Sequence, residues 1–172
     1  MEPITEQSGL DTSVLGLYLN DHLAGAAGGR ARAHDMAKRH ADLPIGPGLV
    51  RFASELDMEY ARLRRLIDEL GLQQRIPRRF AAVVGEKLGR LKLNGHLFTR
   101  SPMTPLLEVE LMRGAVNAKR GLWQVLRDQA HLLGLDEAEW ARLDQLAQDQ
   151  SARLDEMHAL VRGTALRENG PV

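Results

Sequence analysis

Helix-capping and turn residues cut this 172-residue chain into segments whose lengths leave few possible folds. Asp11-Thr12-Ser13 reads as the start of a first helix, and Pro44-Ile45-Gly46-Pro47 separates it from a second. Gly71 ends the second, a shorter helical segment runs from Pro77 to Asn94-Gly95, and Thr104-Pro105 opens a fourth. Gly134-Leu135-Asp136 then turns tightly into a fifth. Pro47 and Pro105 suit a first helical turn, where the amide that proline lacks would have no partner anyway. Gly71 and Gly134 suit the left-handed residue that closes a helix. Asp136 is placed to cap the fifth helix, with Glu139 reaching back to it and Leu135 stapled onto Trp140.

Apolar spacing agrees with this division. Leu15, Leu19, His22, Ala26 and Gly29 recur at helical intervals, as do Phe52, Leu56, Leu63 and Leu70. Phe80, Val84, Leu88 and Leu91 form a stripe on the third segment, and Leu107, Leu111, Val125 and Leu132 one on the fourth. Leu143, Leu146, Gln150, Leu154, Met157 and Val161 do so on the fifth. No stretch alternates with period two, so no sheet is expected.

The short connections after the first and fourth helices make each an antiparallel hairpin with its successor. Residues 71–104 hold enough chain to travel the length of the resulting bundle. Two hairpins joined by one long crossover resemble the ferritin-like superfamily over residues 12–163, which implies a single all-α domain, a ferritin-like four-helix bundle with a shorter fifth helix in the crossover. The tails, 1–10 and 165–172, carry nothing to tie them down. Leu17-Tyr18-Leu19-Asn20-Asp21-His22-Leu23-Ala24, with Lys92-Leu93-Asn94-Gly95 and Arg100-Ser101-Pro102, is also similar to a bacterial helical family of unassigned function.

Ferritin-like bundles imply a di-iron carboxylate site: a Glu from one helix and a Glu-x-x-His from the next, in both hairpins. The first helix here contains no Glu, and the second offers Glu55, Asp57 and Glu59 without a His. Only Asp155-Glu156-Met157-His158 approximates the motif. If the first hairpin turns near residues 43–44, Glu55 lies level with Arg32, Glu59 lies near Gly28 and Arg30, and His22 faces Arg65. His22 and Glu55 are then about 15 Å apart along the axis at 1.5 Å per residue. In the second hairpin Glu110 is level with His158 and Asp155 is one turn away, so Glu110, Asp155 and His158 are the candidate ligands for di-iron or another divalent metal. No metal or other cofactor is expected. Ion pairing is the favoured reading of Glu55, Asp57 and Glu59 against Arg30 and Arg32, and of Glu110 with His158. His22 reads as a neutral core histidine bonded to a carbonyl or to a neighbour such as Asn20.

Small residues suggest a further feature. Ala24, Gly25, Gly28 and Gly29 sit in mid-helix, where each glycine costs up to about 1 kcal/mol relative to alanine. With Gly114, Ala118 and Gly121 on the fourth helix, they predict close helix crossing. The alternative is a glycine-lined cavity for a small ligand.

Charge is balanced overall, with formal net charge +0, but unevenly placed. Residues 75–100 carry seven basic side chains against Glu86, a net +6, whereas residues 136–156 carry a net −5. Arg75, Arg78, Arg79, Lys87, Arg90 and Lys92 are therefore anion-binding candidates. With only Phe80 and Phe98 among them, they are a poor platform for nucleic acid, which is not expected as a partner. There are no cysteines, hence no thiolate metal site. There is also no apolar run of about 20 residues to span a membrane and no signal peptide at the N-terminus, so a cytoplasmic protein is expected. No phosphate-cradling loop or nucleophile motif is present, so catalysis is unsupported. The leading expectation is a non-catalytic helical bundle that acts through a protein partner or homo-oligomer. A dimer anchored by exposed Trp123 or Trp140 would serve this role. Divergent metal binding and anion binding through the basic segment are the alternatives.

Overall fold

A computed structural model describes residues 9–74 and 102–166. Among the described residues the chain is helical with no strand: α1 Thr12–Arg39, α2 Gly46–Glu69, α3 Met103–Asp128, the single turn α4 Ala130–Leu133, and α5 Glu137–Arg162. The segment expected as a helix from Pro77 to Asn94 lies outside the described residues.

Most of the expected punctuation holds its place. Asp11 Oδ1 accepts the amides of Ser13 at 2.9 Å and Val14 at 3.1 Å, which satisfies two donors the helix cannot pair itself. Pro47 lies in the first turn of α2. Gly71 adopts φ +66, and the Leu72 amide bonds back to the Ile67 carbonyl at 3.0 Å, closing that helix. Gly134, at φ +65, and Asp136, which accepts the Ala138 amide at 3.0 Å, turn the chain into α5. One expected bond does not form. Glu139 leaves the cap and binds Arg62 of α2 at 2.5 and 3.0 Å. A guanidinium offers two charge-assisted bonds where the cap offers one neutral amide. The fourth predicted helix also breaks earlier than expected, at Gln129, into the turn α4. At the chain ends, Leu10 packs on the core and Ala165 is buried, although both were placed in or beside the tails.

Besides a polar contact of α2 with α3 through Glu59 and Lys119, each of the four long helices packs chiefly on two others, α1 with α2 and α3, and α5 with α2 and α3. Every such pair is antiparallel. Arg30–Asp57 (2.6 Å) sets the register of α1 on α2, and Glu110–His158 (3.1 Å) with Arg113–Asp155 (2.6 Å) sets α3 on α5. These are the registers expected for two hairpins. Since α2 and α3 both run antiparallel to α1, they run parallel to each other, and the end of α2 and the start of α3 lie at opposite ends of the bundle.

Two readings of the core need correction. On α3 the buried face is Pro105, Glu108, Val109, Met112, Val116, Leu122, Trp123 and Leu126, displaced from the expected stripe, and Val125 is exposed. The cause is visible in the residues: Glu108 occupies a core-facing position, and Lys119 lies mostly buried between Val116 and Trp123. The apolar pattern is interrupted where the core face runs. Trp123 and Trp140, expected as exposed anchors, are both buried and stack at 6.1 Å between ring centroids. Arg62 lies over the Trp140 ring at 4.8 Å, covering it from solvent with its guanidinium.

Arg62 holds the Glu139 carboxyl below its ordinary value of 4.5, chiefly by hydrogen bonding. The stabilisation is therefore present above about pH 4.5 and lost as pH falls through the lower folded value. Arg62→Met should flatten the acid limb of a urea-midpoint against pH series, while wild type loses more stability between about pH 5 and pH 3.

Candidate functional site: a cleft between α1, α2 and α3

Between Leu23 and Arg32, no residue of α1 is buried. That stretch is the small-residue segment, and it borders a cleft of about 260 Å³ shared with α2 and α3. Gly25, Ala26 and Gly29 line one side, and Ala115 and Ala118 line the other. The buried residues Leu63, Leu122 and Trp123 also contribute to its wall. The backbone contact expected of the glycines is thus absent at Gly29, Gly114 and Gly121. A Cβ on Gly29 would meet the Met112 methyl at an ordinary 3.9 Å, and one on Gly121 or Gly114 would meet nothing within 4 Å. Absent side chains here leave space rather than bring backbones together.

Polar groups punctuate this wall. His22 is partly exposed, sets its ring edge against Tyr18 at 4.7 Å, and makes no hydrogen bond among the described residues. It is therefore a cleft residue, not the hydrogen-bonded core histidine expected. Burial pushes its imidazole below the usual value, against an opposing effect of Asp21, so it is neutral at pH 7. Tyr60 also lines the cleft, with Arg30 over its ring at 4.9 Å.

Glu59 and Lys119 complete the lining and belong to a polar lattice at mid-bundle. Lys119 donates to Glu59 and to Gln150 Oε1, and Gln150 Nε2 donates to Glu55 at 3.0 Å and Glu59 at 3.2 Å. Arg153 and Arg51 donate to Glu55, the latter at 2.9 Å. Burial pushes Glu59 upward and Lys119 downward, each toward its neutral form, and their mutual attraction opposes both shifts. Glu55 and Glu59 are ion-paired as expected, but to α3, α5 and their own helix rather than to Arg30 and Arg32, and in the core rather than on the surface. Asp57 keeps its expected partner Arg30 and gains His34 at 2.9 Å. Arg32 turns instead to buried Glu108, which also binds Arg39 at 2.5 Å and His40 at 2.6 Å.

Of the metal candidates, Glu110 and His158 meet at 3.1 Å, while Asp155 is engaged by Arg113. No group of three His, Cys, Asp or Glu residues among the described residues is arranged to hold a metal ion. The anion-binding candidates Arg75, Arg78, Arg79, Lys87, Arg90 and Lys92 lie outside the described residues. Compared with known proteins, the chain matches no family model, no curated protein and no solved structure. No helix among the described residues is long and apolar enough to cross a membrane.

Sequence reasoning missed Lys119, Arg153, Tyr60 and Glu108. A faint signal existed in Gln150, a polar residue in the middle of the α5 stripe, because a core-facing amide implies polar partners on facing helices.

Two stability measurements check this geometry. Lys119→Met should cost about 3–5 kcal/mol in urea denaturation by leaving a buried carboxylate uncompensated, and adding Glu59→Leu should recover most of it. Gly121→Ala, which meets open space on a helix, should stabilise the protein by up to about 1 kcal/mol.

Proposed function

We propose that this protein is a non-catalytic, ferritin-like helical bundle that binds a small, largely apolar molecule in the α1–α2–α3 cleft. Antiparallel packing of all four neighbouring helix pairs supports the ferritin-like arrangement, and the cleft itself carries the functional reading. Apolar lining with a few convergent polar groups is what ligand sites generally present, and about 260 Å³ falls just below their usual size range, which suits a small ligand. Surface association anchored by tryptophan loses its support, because Trp123 and Trp140 stack inside the protein. Metal chemistry at mid-bundle is disfavoured on electrostatic grounds: Glu55 and Glu59 are already neutralised by Arg51, Arg153 and Lys119, so a divalent ion would meet fixed positive charge.

A fragment screen read by amide NMR tests the proposal. Small aromatic fragments should shift the amides of Gly25, Ala26, Gly29, Ala115 and Ala118 together, and Ala118→Leu, which fills the cleft, should abolish the shifts. Perturbations scattered over the surface, or unchanged by Ala118→Leu, would remove the cleft from consideration.

A further inference from the structure

The cleft also constrains what it holds, and this inference rests on the ligand-binding reading above. Its ionisable lining balances, with Asp21 and Glu59 against Arg30 and Lys119. The two least exposed members of that set, Glu59 and Lys119, are bonded to each other and satisfied by Gln150. Arg30 is taken by Asp57, so an anionic ligand would surrender its hydration without an unpaired cation of the described lining to receive it. The lining side chains that carry polar atoms without formal charge are His22, Tyr60 and Trp123, none of which makes a side-chain hydrogen bond among the described residues, and the Trp123 Nε1 is itself shut away from the surface. His22, neutral and unbonded, offers both a donor and an acceptor to whatever lies against it. A cavity of about 150 Å³ takes benzene, so about 260 Å³ takes roughly ten heavy atoms.

We propose that the cleft binds a neutral aromatic molecule of roughly ten heavy atoms, bearing one hydroxyl that hydrogen-bonds to His22. The aromatic body lies between the small residues of α1 and α3, and its polar end meets the imidazole. With Arg30 paired to Asp57 and Lys119 to Glu59, the corresponding carboxylate finds no cation there to receive it.

Naphthalene, naphthol and naphthoate, titrated against the full chain at pH 7 and followed by amide NMR, test this. Naphthol should bind roughly 2- to 10-fold tighter than naphthalene, and naphthoate more weakly than naphthol. In His22→Phe, which keeps a ring and removes both bonding atoms, naphthol and naphthalene should bind alike. Equal binding of naphthol and naphthalene by wild type, tightest binding of naphthoate, or a naphthol preference that survives His22→Phe would overturn the ligand class and leave the cleft as a site. Failure of all three to bind, or binding that ignores Ala118→Leu, would overturn the cleft reading itself. Nuclear Overhauser contacts from residues 75–101 to the Ala118 methyl in ligand-free protein would do the same, by assigning the cleft to the chain's own residues.

Discussion

Glu55 and Glu59, one turn apart on α2, are buried in the middle of the bundle, and the arrangement around them follows from that burial. A buried carboxylate must be both neutralised and hydrogen-bonded, or the native state carries a penalty of several kcal/mol. The chain supplies Lys119 from α3 and Gln150 and Arg153 from α5, so one polar lattice ties three helices at one level. Such a lattice tolerates no slippage. Moving α5 by a turn would strip Gln150 from both carboxylates at once. The apolar core supplies most of the burial, while the lattice selects one register among those the core would accept.

A second buried carboxylate governs the approach of α1. Glu108 draws Arg32, Arg39 and His40 to the start of α3, so α1 and α3 are joined at that end. Farther along α1, glycine and alanine replace larger residues, and no side chain among the described residues fills the gap. The cleft is thus a by-product of two constraints: ionic attachment at one end and deficient volume in the middle. Its electrical neutrality has the same origin, because the ion pair in its wall exists to satisfy the core.

Side-chain volume also decides which polar groups face the cleft. His22 and Tyr60 lie where α1 and α2 flank a run of small residues, so neither is enclosed by packing, and neither finds a hydrogen-bond partner among the described residues. Groups in that position remain available to a ligand. The pair Glu59–Lys119 is the opposite case, since each is consumed by the other and by Gln150.

Local physics was legible in the sequence. Asp11, Gly71, Gly134 and Asp136 do at their positions what their side chains and backbone freedom require, and the two hairpin registers follow from loop position and helix rise. The cleft was legible only as an ambiguity, because glycines in a helix signify close packing or empty space equally well. Long-range assignments were not legible at all. Nothing in the chain says that Arg32 prefers Glu108 to Glu55, that Glu139 abandons its cap for Arg62, or that Trp123 and Trp140 stack inside. Buried polar residues concealed the core face of α3, since Glu108 and Lys119 interrupt the apolar pattern used to find it. By itself the sequence determined the four long helices, most of their ends and their antiparallel pairing, because these depend on contacts a few residues apart. Only the tertiary structure decided which charges meet and where space is left, because both depend on how separate helices share one interior.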